Sequence, residues 1–148
     1  MEAGVGALEG GKIMLNINEF VKEVGENAVA HGWWDEERSF GELIALCHSE
    51  LSEALEEYRQ GNLPTETYYS CNQCDEKCAY VGKQFNNCTH KQGLTIHGKP
   101  EGIPSELADV IIRIFDMCHH YGIDIESMLI DKHEFNKSRP YKHGGKVI

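Results

Sequence analysis

The sequence predicts an all-α fold of the four-helix-bundle type, and three observations support this. Apolar residues recur at helical spacing in four segments, capping residues and glycines bound these segments, and no segment shows the alternation of a half-buried strand. A chain of 148 residues is long enough for one domain with a core. We therefore predict a single helical domain over residues 13–148, preceded by a Gly-rich, disordered segment over residues 1–12.

The first two helices have clear end signals. The first is expected to begin near Ile13 and to stop at Gly32. The second opens with a capping box, in which Ser39 accepts from the backbone of Glu42 while the Glu42 side chain reaches back. Gly61 is its expected left-handed terminator. Seven residues of this helix are predicted to form one apolar face: Leu43, Leu46, Cys47, Leu51, Ala54, Leu55 and Tyr58.

The third and fourth helices come after a segment whose composition differs from that of the helices. The third is predicted to start near Pro104 and to run to Gly122, and Asp124 is the expected cap of the fourth, which ends before Pro140. Residues 62–103, between the second and third helices, are rich in cysteine and glycine and are predicted to be a loop insertion in the bundle.

Charge and composition exclude several partners. The formal net charge of −10 disfavours binding to nucleic acid and to anionic membranes, and no apolar run is long enough to span a membrane. The start of the chain has neither the basic nor the apolar region of a secretory signal, so we expect a cytoplasmic location.

The second and third helices each carry a pair of carboxylates that is directed toward the apolar face of the helix. Glu50 and Glu53 are three residues apart, and Glu50 falls between core leucines when each residue turns about 100°. Glu106 and Asp109 repeat this spacing on the third helix. Four such charges in a partly dry site require a cation, and oxygen ligands suit Mg²⁺ or Mn²⁺. The alternative is that these carboxylates lie on solvated helix faces with basic partners.

These motifs resemble a known family. Glu50-Leu-Ser-Glu53 followed by Glu106-Leu-Ala-Asp109 is similar to the ExxE…ExxD signature of the MazG-like, all-α nucleoside triphosphate pyrophosphohydrolases. The resemblance extends through HGWWDEERSFGELIALCHSELSEALEEYR, KPEGIPSELADVIIRIFDMCHHYGIDI and KHEFNKSRPYKHGGK. The connection between the two acidic motifs is longer here than is usual in the family, because of the cysteine-bearing insertion.

The resemblance implies a reaction and its residues. It implies hydrolysis of a nucleoside or deoxynucleoside triphosphate to the monophosphate and pyrophosphate, by an activated water and a carboxylate-bound Mg²⁺. It assigns Glu50, Glu53, Glu106 and Asp109 to metal binding, and we predict that Glu53 also orients or deprotonates the water. It further implies a homo-oligomer, a dimer or a tetramer.

The substrate is expected to meet a cationic stripe and aromatic rings. Three residues near the end of the fourth helix lie within about 60° of one another and are predicted to grip phosphates: Lys132, Asn136 and Arg139. Their alternative role is that of a solvated helix end whose cations favour the helix dipole. Trp33 and Trp34 are candidates for an aromatic wall that stacks on a base, with Tyr141 helping to close the pocket, although a tryptophan is also a core residue.

The insertion carries four cysteines with metal-ligand spacing. Cys71, Cys74, Cys78 and Cys88 are compatible with a closed tetrahedral Zn²⁺ site, in which His90 or His97 could replace one thiolate. Reduced free thiols and a redox or iron–sulfur role are the alternatives. Cys47 and Cys118 are predicted to be small core residues. A non-catalytic, zinc-stapled helical interaction module is therefore the alternative function.

Overall fold

The fold is mainly helical over the residues that the computed structural model describes, which are 16–71, 77–81, 84–85 and 98–141. Its four helices are α1 (Ile17–Ala30), α2 (Phe40–Arg59), α3 (Ile103–Tyr121) and α4 (Ile125–Lys137). The prediction of a mainly helical chain with four helices is confirmed over these residues. The predicted N-terminal segment, residues 1–12, lies outside them.

Local capping sets most of the helix ends. The Ser39 side chain accepts a hydrogen bond from the backbone N–H of Glu42 at 3.2 Å, as the capping box predicts. The Glu42 carboxylate accepts from Arg38 Nη1 at 2.7 Å. Asp124 caps α4 by accepting from a backbone N–H three residues along the chain. Gly61, with φ 92°, ends α2 in the left-handed conformation.

The insertion contains a small antiparallel sheet that the sequence analysis did not predict. Its strands are β1 (Tyr68–Cys71), β2 (Lys77–Val81), β3 (Gln84–Phe85) and β4 (Gly98–Glu101), in the order β3-β2-β1-β4. These strands are two to five residues long, which is too short to display a period-two pattern. Because β1 pairs with the distant β4 as well as with β2, the sheet depends on tertiary pairing. The predicted loop insertion over residues 62–103 therefore contains four short strands within its described residues.

One of two compact units contains α1, α4 and the part of α3 from Phe115 onward. The rings of Phe20 and Phe115 meet edge to face with centroids 6.0 Å apart, and Cys118 is only 3% exposed. The backbone N–H of Asn18 at the start of α1 donates to the Glu126 carboxylate at the start of α4 at 3.0 Å. Aromatic packing and this polar contact therefore join the elements of this unit.

The other unit, Arg38–Ile114, contains α2, the sheet and the first part of α3. Gly102 connects β4 to α3 with φ 97°, and a Cβ placed there would lie 2.5 Å from the backbone oxygen of Glu66. Only glycine fits this close approach without a shift of the backbone. This connection sets where α3 begins, and the first turn of α3 carries Glu106.

The apolar face of α2 is narrower than the sequence predicts. Leu43, Cys47 and Ala54 are buried, as expected. Leu51 and Tyr58, which were predicted on the same face, are 45% and 61% exposed. The helical period places all of these residues on one side of α2, but the described chain covers only part of that side.

Within the described residues, no helix combines the length and the apolarity that crossing a membrane requires.

Candidate metal centre

Three predicted ligands converge in the second unit. Glu50 of α2 and Glu106 and Asp109 of α3 each offer a carboxylate oxygen, and these oxygens lie within 4.8 Å of one another. We call these three residues the acidic cluster. Glu50 is 6% exposed and Glu106 4%, while Asp109 is half-buried. The convergence brings together three negative groups that are largely withdrawn from water.

The helical period explains how the two helices present these groups. Glu106 and Asp109 are three residues apart near the start of α3, so they share one face of that helix. Glu50 follows the buried Leu43 by seven residues and the buried Cys47 by three, so it belongs to the buried side of α2. Burial of a carboxylate on that side is what the sequence predicted for Glu50.

The cluster has an acceptor that lacks a donor. Glu106 Oε2 is buried, and no hydrogen-bond donor within the described part of the chain reaches it. Burial and the neighbouring carboxylates of Glu53, Asp109 and Glu50 raise the pKa of Glu106, while the Lys99 ammonium opposes this shift. A buried acceptor of this kind is costly unless a cation or a proton satisfies it.

A basic residue absent from the sequence predictions contacts the cluster. The Arg113 guanidinium donates through Nε and Nη2 to Glu50 Oε1, so the pair links α3 to α2. The helical period offered a signal for this contact: Arg113 follows Asp109 by four residues and Glu106 by seven, which places it on the face that carries both acids.

The sheet contributes a second set of polar contacts in this unit. The Tyr68 hydroxyl of β1 donates to Glu57 of α2 at 3.0 Å, and Ser70 Oγ donates to Glu101 of β4 at 3.0 Å. Burial and the hydrogen bond to Glu57 raise the pKa of Tyr68 to about 12. No local sequence signal could have shown this contact, because it depends on how β1 lies against α2.

Glu53, the fourth predicted ligand and the predicted catalytic residue, stands apart from the cluster. It lies one turn after Glu50 on α2 and its side chain is exposed. Its carboxylate is not among the three groups that converge within 4.8 Å. Its charge nevertheless contributes to the raised pKa of Glu106, so it belongs to the surroundings of the cluster.

The residues of the acidic cluster fit a hard divalent cation. All three donors are carboxylate oxygens, the ligand type that Mg²⁺ and Mn²⁺ prefer, and the cluster contains none of the nitrogen or sulfur donors that dominate zinc sites. Glu106 Oε2, for which the described residues provide no donor, supplies an acceptor that such an ion would satisfy.

The two tryptophans lie in the first unit and are both half-buried. Trp34 Nε1 donates to the buried Asp116 at 2.9 Å, and its ring stacks on His120 at a centroid distance of 3.6 Å. These contacts anchor Trp34 within its own unit, which is a structural role. A base-stacking role for Trp33 and Trp34 stays a prediction.

The predicted phosphate-binding residues are exposed and also lie in the first unit. Lys132 and Asn136 belong to α4, and the Lys132 ammonium lies 5.4 Å from the centroid of the Phe135 ring. Helix α4 ends at Lys137, so Arg139 follows the helix in a turn. Tyr141 is 89% exposed.

The cysteines divide into two groups. Cys47 and Cys118 are buried, and burial raises the pKa of both thiols, which confirms their prediction as core residues. The backbone of Cys71 ends β1, and Cys78 of β2 pairs with Tyr69. Two members of the predicted zinc set lie outside the described residues: Cys74 and Cys88. The zinc site stays a prediction.

No family model matches this chain, and comparisons with curated proteins and with solved structures find no match either. The resemblance to the MazG-like family therefore stays a prediction that rests on the sequence motifs.

Proposed function

We propose that this protein is a metal-dependent nucleoside triphosphate pyrophosphohydrolase with a MazG-like helical fold. The observation that carries the metal dependence is the convergence of Glu50, Glu106 and Asp109 within 4.8 Å, around a buried acceptor that no donor among the described residues reaches. The substrate class comes from the resemblance of the ExxE…ExxD motif. In the reaction, water attacks the α-phosphorus, the bond from that phosphorus to the α–β bridging oxygen breaks, and pyrophosphate leaves.

The chain's own residues have distinct roles in this proposal. Glu50, Glu106 and Asp109 hold Mg²⁺ or Mn²⁺, which when bound would neutralise negative charge on the phosphate oxygens and lower the pKa of a water molecule. Glu53, beside the cluster but exposed, orients the attacking water or accepts its proton. This position outside the convergent group suits a base better than a ligand.

The test is pyrophosphate release from a panel of ribo- and deoxyribonucleoside triphosphates with Mg²⁺. We expect Glu106→Gln and Asp109→Asn to lose both release and metal binding. Glu53→Gln should lose about a hundredfold or more in rate while it retains metal binding, because a general base contributes at least that factor. Metal binding is measured separately, by calorimetry.

Glu56→Gln is the matched control. Glu56 is an exposed residue of α2 that pairs with Arg59 at 3.8 Å, so its replacement removes one carboxylate without touching the acidic cluster. We expect parental release and metal affinity from this variant. A folded parent that binds Mg²⁺ but releases no pyrophosphate from any triphosphate would overturn the proposed reaction.

That same outcome would favour the zinc-stapled interaction module. The intact acidic cluster supports the enzyme over the module, since a scaffold without catalysis has no need to bury Glu50 and Glu106 next to each other. The predicted Zn²⁺ is measured independently, by metal analysis of protein purified without chelator.

The proposal retains a cytoplasmic location and a homo-oligomer. Leu51, Leu55 and Tyr58 are three of the exposed apolar residues of α2, and we expect association between two copies to bury them. Light scattering measures the mass in solution, and a monomer at micromolar concentration would contradict this part of the proposal.

A further inference from the structure

The contact between Arg113 and Glu50 is not explained by the proposed reaction. Glu50 is a proposed metal ligand, yet Glu50 Oε1 accepts from both Nε and Nη2 of Arg113. The Glu50 side chain is 7% exposed and that of Arg113 31%, so the pair is partly withdrawn from water. The Arg113 guanidinium lies beside the proposed metal site, where it would repel the bound ion. Its position there needs an explanation.

The charges of the site supply that reason. Three carboxylates form the acidic cluster, and the guanidinium of Arg113 cancels one of them. The net charge of these four groups is −2, equal in size to the charge of one divalent ion, and the charges of Glu53 and Lys99, which also act on Glu106, offset each other. Arginine stays protonated at every physiological pH, so this compensation does not vary with conditions as that of a histidine would.

We propose that Arg113 is the resident counter-cation of the acidic cluster. Its positive charge matches the net charge of the site to that of a divalent ion and limits how tightly the ion is bound. The inference rests on the metal-binding part of the proposed function. Arg113 is a positioning residue in this scheme, since it acts on the metal site through Glu50.

A second observation supports a cation in the cluster alongside Arg113. Nε and Nη2 of Arg113 both donate to Glu50, whereas the buried Glu106 Oε2 is reached by no donor among the described residues. Arg113 therefore satisfies one acid of the cluster and leaves another acceptor for an ion.

The experiment compares ions of different charge in Arg113→Met. The affinities of the metal-free protein for Mg²⁺ and for Tb³⁺ are measured at matched ionic strength, by calorimetry and by luminescence. Loss of a repelling charge should tighten Mg²⁺ binding by about tenfold and Tb³⁺ binding by about thirtyfold, because Coulomb energy scales with ion charge. A residue that only braces α2 against α3 would not produce this dependence on charge.

Two further variants separate charge from geometry and from folding. Arg113→Lys keeps the charge without the planar fork, so both affinities should stay within about threefold of the parent. Arg59→Met removes an equal charge from an exposed pair on α2 and should leave both affinities unchanged. If Arg113→Met does not fold without metal, as judged by circular dichroism, Arg113→Lys decides the question: retained affinities support the charge role, and a loss of about tenfold refutes it.

Weaker binding of both ions to Arg113→Met, or an equal change for both, would overturn the inference, because Arg113 would then act on the geometry of Glu50. This failure differs from failure of the proposed function. A parent that binds no divalent ion removes the proposed metal site itself, whereas a parent that binds Mg²⁺ without the predicted dependence on charge removes only the role of Arg113.

Discussion

Replacement of Glu106 by glutamine should change stability in opposite directions with and without metal. Glu106 is 4% exposed, one of its oxygens has no donor in the described part of the chain, and two other carboxylates lie within 4.8 Å. Glutamine keeps nearly the same shape and removes the charge. The substitution therefore tests whether the buried charge of Glu106 serves to bind a metal ion or to stabilise the fold.

The magnitude follows from the geometry. Two like charges 4.8 Å apart repel by about 3.5 kcal/mol at an effective dielectric constant of about 20. The contact of Arg113 with Glu50 reduces this repulsion. The raised pKa of Glu106 reduces it further, since proton uptake relieves the same charge. We expect Glu106→Gln to raise the free energy of unfolding of the metal-free protein by about 1–3 kcal/mol.

With metal the sign reverses. An ion present at a thousand times its dissociation constant stabilises a folded protein by about 4.1 kcal/mol, which exceeds the advantage of the variant in chelator. Glu106→Gln loses that ion and therefore this increment. The parent should overtake the variant as Mg²⁺ is added.

The assay is urea unfolding of both proteins in chelator and in Mg²⁺, followed by circular dichroism. Glu56→Gln, an exposed replacement on α2, should stay within about 0.5 kcal/mol of the parent in both conditions. If Glu106→Gln were less stable than the parent in chelator, Glu106 would support the fold and the reasoning from unpaired charge would be refuted.

Two further predictions concern the chain around the cluster. Gly102→Ala should destabilise the protein by about 1–3 kcal/mol more than Gly61→Ala, because both have positive φ but only at Gly102 would the new Cβ meet the Glu66 carbonyl. Urea unfolding measures the difference, and equal losses would contradict it. Because burial raises the pKa of Tyr68 from 10.0 to about 12, the folded protein holds the phenolic proton more tightly than the unfolded chain. This stabilisation is complete below pH 10, and about 2–3 kcal/mol of it is lost as the pH rises to about 12. Tyr68→Phe removes the titrating hydroxyl together with its hydrogen bond to Glu57. The variant should therefore show a flatter decline in stability at alkaline pH. An unchanged alkaline decline in Tyr68→Phe would contradict this assignment.

The helices could be predicted because their signals are local. Ser39 and Asp124 cap α2 and α4 through backbone groups three residues away, and Gly61 takes the left-handed conformation at a helix end. Such contacts depend on neighbours along the chain, so the sequence contains all the information that they need.

The sheet could not be predicted for the opposite reason. Tyr68 of β1 pairs with Glu101 of β4 across more than thirty residues, and the strands are too short to show a period of their own. Pairing between segments so far apart depends on tertiary structure.

The candidate site combines both kinds of information. The sequence by itself determined that Glu106 and Asp109 share a face of α3 and that Glu50 belongs to the buried side of α2, because the helical period sets which residues lie on one side. Only the tertiary structure decided that these three carboxylates converge, that Glu53 stays exposed and that Arg113 contacts Glu50. The physical reason is that a helical period places residues on a face, whereas the distance between two helices and the contacts across them depend on how the helices pack.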